Sequence, residues 1–142
     1  MIDINIDDPV VVLKNVGPMP WDSPHRFVGW TYLPLFWRDW AVAGFVETRS
    51  GLPFSVQSDG HILGDVNSWR LPAFFEANLH LERRFVFRGH RWEFRMGFNN
   101  VTNHRNPNLV NSNVDSRNFM HLYGGQGRTT NFRIRWLGRV SR

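Results

Sequence analysis

Apolar and polar side chains alternate along most of this chain, and helical spacing is weak. The clearest stretch runs from Phe75 to Arg83. Phe75, Ala77, Leu79 and Leu81 share one face there, and Glu76, Asn78, His80 and Glu82 share the other. The next repeats it, with Trp92, Phe94, Met96 and Phe98 against Glu93, Arg95, Gly97 and Asn99. The last sets Phe132, Ile134 and Trp136 against Arg133 and Arg135. Two earlier stretches, about His25–Leu33 and Trp40–Thr48, are also strand-like. Val28, Trp30 and Tyr32 share a face in the first, and Trp40, Val42, Gly44 and Val46 in the second. The pattern predicts an all-β chain, an antiparallel meander of about five long strands. A half-buried strand of a soluble protein alternates in the same way. A heavily charged face opposite a uniformly apolar one, over about 9–11 residues, is what a membrane β-barrel requires.

The connections alternate in length. Residues 34–39 and 86–90 are short, and the second reads as a hairpin turn, Arg88-Gly89-His90. Residues 49–72 and 102–128 are long and rich in Gly, Asn, Ser and Asp, and the first 23 residues are long and irregular. Membrane barrels join strands by short periplasmic turns and long extracellular loops. That order places the C-terminus on the periplasmic side and the 102–128 loop outside. Trp37, Trp40, Phe85, Phe87, Trp92 and Trp136 fall at the short-turn ends of their strands, and Phe27, Phe74, Phe75 and Phe98 nearer the long-loop ends. Aromatic rings at two levels are the expected girdles at the lipid headgroups. Core aromatics of a soluble sandwich are the competing explanation, because strands favour these residues anyway.

Composition narrows the classes. The 142 residues are 42% hydrophobic and 15% aromatic, with a mean hydropathy of -0.38. An aromatic content this high points to an ordered chain. No run approaches the roughly 18 apolar residues of a spanning helix. Cysteine is absent, which removes disulfides, thiolate metal sites and Cys nucleophiles. The formal net charge is +5, and Lys14 is the sole lysine, so the cationic charge is almost all arginine. Those arginines are spread along the strands instead of gathered in one run, which argues against a nucleic-acid footprint. Met1 to Asp8 has neither a basic nor an apolar segment of a signal peptide.

Chemistry concentrates on the charged face: Glu76, Asn78, His80, Glu82, Glu93, Arg95, Arg133 and Arg135. These are candidates for a lumen wall that touches a ligand or an inserted domain. The plainer expectation is charge pairing across strands, with Glu93 opposite an arginine. The histidines, His25, His61, His80, His90, His104 and His121, have no metal-ligand spacing. Glu76 and Glu82 stand about 20 Å apart along one strand, too far to work as a carboxylate pair. Gly124-Gly125-Gln126-Gly127-Arg128 is followed by a strand and not a helix, so it reads as a loop end and not a phosphate cradle. Asn99, Asn100 and Asn103 are expected to bond the backbone where a strand ends. Catalytic, cofactor and metal residues are therefore expected to be none, and the chain is not expected to be an enzyme.

Five stretches, in order, resemble the last barrel strands of TonB-dependent receptors. Pro24-His25-Arg26-Phe27 resembles their "PHRF" strand start. Glu47-Thr48-Arg49-Ser50-Gly51-Leu52-Pro53-Phe54-Ser55-Val56 resembles "QSGLPFSV". Arg70-Leu71-Pro72-Ala73-Phe74, with the strand ending Glu82-Arg83-Arg84-Phe85, resembles "RLPAYHRLDLRLSKRF". Phe98-Asn99-Asn100-Val101-Thr102-Asn103-His104-Arg105-Asn106-Pro107 resembles "FNLTNHRNP", and Gly127-Arg128-Thr129 with the strand after it resembles "GRTFRVGLRW". The likeness is greatest to the carboxypeptidase-regulatory-domain-containing, Oar-like branch.

The resemblance implies the C-terminal part of an outer-membrane β-barrel. Residues 1–23 would be an irregular extracellular-loop remnant, 24–137 barrel strands and 138–142 a tail. It implies outer-membrane lipid as a partner, and in the parent protein a plug domain and the TonB energy-transducing system, with no nucleic acid. Trp37, Trp40, Phe85, Trp92 and Trp136 would stand at the membrane interface. Such receptors have about 22 strands with a plug. Five strands without plug or TonB box lead to the expectation of a truncated or split gene product. Trp136 is followed by Leu137-Gly138-Arg139-Val140-Ser141-Arg142, so the terminal aromatic of many such barrels is displaced. The alternative is a small soluble β-sheet protein that binds a ligand or single-stranded nucleic acid through arginines and exposed aromatics.

Overall fold

The structure, a computed structural model, describes residues 16–35 and 39–140. Trp37 lies outside the described residues. Within them the chain is all-β. Its strands are β1 (Arg26–Leu35), β2 (Trp40–Arg49), β3 (Pro53–Phe54), β4 (Gln57–Ser58), β5 (His61–Ile62), β6 (Trp69–Arg70), β7 (Phe74–Phe87), β8 (His90–Asn99), β9 (Leu109–Val110), β10 (Leu122–Tyr123) and β11 (Thr129–Arg139). The five long ones form one antiparallel sheet in the order β1-β2-β7-β8-β11, which is the expected meander. They are the five stretches where alternation is longest, since a half-buried ladder rewards every second apolar side chain.

The register is explicit across three strands. β7 pairs with β8 from Leu79↔Phe98 to Phe87↔His90. β8 pairs with β11 from Thr129↔Asn99 to Trp136↔Trp92; Leu137 is then extra before Gly138↔Arg91, a bulge that ends the regular ladder. The β7–β8 turn is tighter than residues 86–90. It consists of Arg88 and Gly89, with φ of 50° and 72°. Two successive left-handed residues make the type I′ turn, whose twist matches the flanking strands.

Two compact units emerge. One, from residues 26–35, 39–48, 74–105 and 126–140, is the long-stranded sheet. The other, from residues 16–25, 49–73 and 106–125, is built from the long connections. These connections carry order of their own. β3 pairs with β6, β4 with β5 around the left-handed Asp59-Gly60 turn, and β9 with β10. A parallel bridge joins Gln57 to Asn113, and Arg70 holds both the carboxylate and the carbonyl of Asp22. Gly51 sits against the Leu71 carbonyl, where a Cβ would collide with backbone. That close approach explains a glycine in Ser50-Gly51-Leu52-Pro53.

The faces of β1 follow from its contacts with β2. A Cβ on Gly29 would meet the Val46 methyl at 3.2 Å, and one on Gly44 the Thr31 methyl at 3.3 Å. Trp40 lies under the Arg83 guanidinium, 5.2 Å from the ring centre, on the face of Leu79, Leu81 and Phe85. So the odd residues of β1 join the apolar face. Val28, Trp30 and Tyr32 do share a face, but it is the charged one. β1 carries large apolar residues at both parities, so alternation alone could not assign it.

Burial is inverted relative to a soluble domain. Among the described residues Ala41 and Val56 are the buried hydrophobics, and no side chain reaches complete burial. Glu93 and Asn100 are each only 3% exposed, whereas Phe132, Ile134 and Trp136 are 66%, 68% and 59% exposed. In a chain of this size folded in water the order runs the other way.

The turn makes a direct prediction. A Cβ on Gly89 meets nothing, so a substitution there tests backbone conformation alone. Gly89→Val should destabilise the hairpin by about 1–2 kcal/mol, the cost of forcing a side chain into the left-handed region. Arg88→Asn should stabilise it slightly. Urea unfolding midpoints of the two variants, moving in opposite directions, check this.

Candidate functional site on the charged face of the sheet

Register brings the charged residues into rows. Residues directly opposite in an antiparallel pair project to the same side. Arg84, Glu93 and Arg135 form one row, Glu82, Arg95 and Arg133 the next, and His80, Gly97 and Asn131 the third. Glu76 and Asn78 continue the same face of β7. All eight candidates named from the sequence therefore lie on one face.

Glu93 is the centre of this face. Its carboxylate forms ion pairs with Arg135 at 2.8 Å and Arg133 at 3.2 Å through Oε1, and with Arg84 at 3.5 Å through Oε2, and it accepts a hydrogen bond from Arg133. The carboxylate is nearly buried, while its three guanidinium partners are about half exposed. Isolated exposed ion pairs contribute little. A buried carboxylate held by several donors differs, because desolvation makes removal of those donors costly. The expected cross-strand pairing of Glu93 with an arginine is present, and threefold. Arg84 also reaches Glu82 at 3.2 Å. At the other end of the face Arg26 and Glu47 pair at 3.0 Å.

Arg95 contrasts with these. Its opposite neighbours are Glu82 on β7 and Arg133 on β11. Glu82 is bonded to Arg84, and Arg133 is a like charge bonded to Glu93. Arg95 instead lines a hollow of about 80 Å³ with Tyr32, Ala41, Ala43, His80 and Glu82. Nδ1 of His80 is buried against Gly97 without a hydrogen-bond partner among the described residues. Gly97 makes room for this ring. A Cβ at that position would lie 2.5 Å from both His80 Nδ1 and Asn131 Oδ1.

The strand end is organised by Asn100. Its φ is 49°, and its backbone N–H donates to Asn78 Oδ1 at 2.8 Å. Its amide donates to the carbonyls of His104 and Gln126 and accepts from His104 N–H. Asn103 Oδ1 accepts from Arg128 N–H. Both serve the backbone, as expected, whereas Asn99 donates to the Thr129 hydroxyl. Asn78 in turn donates to Glu76 at 2.8 Å, so these two candidates belong to the strand-end network and not to the arginine rows.

On the opposite face Phe85, Trp92 and Trp136 stand in one row. Trp40 is stacked by Arg83, and Trp136 donates to His90 Nδ1 at 3.2 Å. Four of the five aromatics proposed for an interface are thus on the apolar side, near the Arg88-Gly89 turn.

Sequence reasoning left Arg84 and Tyr32 off the charged face, and placed Gly97 there without a role. Arg84 was legible in principle, since it lies two residues beyond Glu82 in the same alternation. The strand runs on to Phe87, through the point where Arg83 makes the pattern look broken. Tyr32 carries no such signal, because β1 is ambiguous.

No protein-family model matches the chain, and no solved structure matches it. Among curated proteins it is similar to one from Salmonella phage ViI named "Serinyltransferase", at 30% identity over 86 residues. The match takes in 57% of this chain and 21% of the phage protein, so the chain spans about a fifth of that relative's length.

The Glu93 cluster is testable by substitution. Glu93→Leu leaves Arg84, Arg133 and Arg135 facing one another without a carboxylate. It should cost about 1–3 kcal/mol, below the loss for a wholly buried pair because the guanidiniums remain hydrated. Arg135→Gln should cost less, since two partners remain. A double-mutant cycle read by urea unfolding separates pairing from packing.

Proposed function

We propose that this chain is a C-terminal segment of an outer-membrane TonB-dependent receptor barrel, forming barrel wall and extracellular loops for uptake of a solute. The observation that carries it is the inverted burial: Glu93 is 3% exposed while Ile134, on the other face of the sheet, is 68% exposed. A sheet with paired charges on one face and bare Phe, Ile and Trp on the other suits lipid outside and an aqueous lumen inside. Such a large exposed apolar surface is rare on soluble monomers. The ordered set of receptor-like motifs supports the same reading.

In this arrangement Phe27, Leu79, Phe132 and Ile134 face lipid. Phe85, Trp92 and Trp136 form a girdle at the periplasmic headgroups, near the two-residue turn. Glu82, Glu93, Arg95, Arg133 and Arg135 line the lumen, where the plug domain of the parent protein would sit. The long connections are extracellular, and the C-terminus is periplasmic. The five-stranded sheet has edges at β1 and β11, and membrane barrels need about 8 strands or more. Further strands must pair at both edges, because open ladders are not tolerated in lipid. The segment's role is structural, and energised transport through TonB belongs to the assembled receptor.

Two measurements test this. Expressed alone, the chain should be insoluble in buffer and recoverable with β-structure in detergent micelles. A soluble monomer whose binding to single-stranded oligonucleotide weakens with salt would overturn the proposal in favour of a soluble binding protein. Ile134→Arg gives a sharper sign. In a bilayer it should cost about 2–4 kcal/mol. On a water-facing strand the change should stay within about 0.5 kcal/mol. Unfolding in lipid vesicles reads the difference, and a neutral result there sinks the membrane assignment.

A further inference from the structure

The arginine rows carry more positive charge than they neutralise. Arg84, Arg95, Arg133 and Arg135 face two carboxylates, Glu82 and Glu93, an excess of two positive charges. The ion pairs distribute this unevenly. Glu93 serves three arginines, Glu82 serves Arg84, and Arg95 has no ion pair among the described residues. Arg95 also stands directly opposite Arg133, and like charges facing across a ladder are destabilising. A sheet shaped by stability alone would place an acceptor or a neutral side chain here.

Three features converge at the same point. The hollow that Arg95 lines also receives Tyr32 and His80. His80, on the wall of the hollow, has a buried Nδ1 with no partner among the described residues, and an orphaned buried polar atom often marks an ion or a water that completes the site. Gly97 admits the His80 ring to this position, since a Cβ there would lie 2.5 Å from Nδ1. At about 80 Å³ the hollow has room for several waters or one oxyanion group, and not for a whole solute.

We propose that Arg95, with Tyr32 and His80, forms an oxyanion subsite on the charged face, taking a single carboxylate or phosphate group. The Arg95 guanidinium supplies the charge and a planar pair of donors suited to either group. The Tyr32 hydroxyl supplies a neutral donor from β1. His80 closes the hollow beside Gly97. The bound anion also offsets the Arg95–Arg133 repulsion, so occupancy stabilises the sheet. The subsite depends on the strand register and not on the membrane assignment, and stands if that assignment fails.

The test uses the full chain, folded in detergent or in buffer according to where it is recovered. Titration calorimetry with inorganic phosphate, and separately with succinate, should show binding that weakens with added salt. Phosphate binding alone, or succinate binding alone, names the group the site takes. The ligand should raise the thermal midpoint of the wild type. Arg95→Gln should abolish that rise and weaken binding at least tenfold, while leaving the free chain as stable as before or more so. Tyr32→Phe should weaken binding several-fold, and Arg117→Gln, in a long connection, should change nothing. A wild type that binds neither anion overturns the proposal. So does an Arg95→Gln chain that binds as tightly as wild type, or one that is less stable without ligand, which would make Arg95 a structural residue.

Discussion

Every side chain of the paired stretches of β7, β8 and β11 takes its face from one constraint, the backbone register that locks β7 to β8 and β8 to β11. A strand has a period of two, so a slip of one residue would move each side chain to the other face. In this register Phe85, Trp92 and Trp136 fall in one apolar row, and Arg84, Glu93 and Arg135 in the charged row behind it. After a slip of β8 the Glu93 carboxylate would leave Arg84, Arg133 and Arg135 and lie on the face of Phe, Ile and Trp. The two-residue turn at Arg88-Gly89 sets this register at one end, and the Asn100 network closes the other end.

The two faces are stabilised by different physics. On the charged face attraction is short-ranged and specific. Glu93 gathers three guanidiniums, and its near-complete burial strengthens each contact. On the apolar face little is gained inside the sheet, because the rings and branched chains stay largely exposed. Phe94 and Phe132 stack at 6.4 Å between ring centres, and Arg83 covers Trp40, but Phe132 and Ile134 remain bare. Hydrophobic stabilisation there must come from whatever medium covers that face. This asymmetry carries the proposal of a lipid-facing wall, and it leaves Arg95 as the odd charge on the paired side.

The long connections show how order arises without long strands. Short ladders at Pro53–Phe54 with Trp69–Arg70, and at Leu109–Val110 with Leu122–Tyr123, satisfy only a few backbone groups. Asn, Ser and Asp side chains satisfy many others. Asn67 donates to the Pro18 carbonyl and Ser55, and Asp115 accepts from Ser58 and from Asp59 N–H. A composition that reads as loop is thus what lets these segments fold into a compact unit.

The sequence by itself determined the features whose cause is local. Alternation identified all five long strands, because each strand's neighbours along the chain already declare its two faces. The turn at Arg88-Gly89 and the backbone-serving roles of Asn100 and Asn103 were legible for the same reason, since left-handed residues and amide side chains act within a few positions. Tertiary structure decided what depends on the neighbouring strand. It set Tyr32 on the charged face although β1 is apolar at both parities. It gave Glu93 the partner Arg84, past the apparent break at Arg83, and opposed Arg95 to Arg133. It also made Gly97 the gap that His80 fills. Period two says that side chains divide between two faces; only pairing through space says which face is shared, and with whom.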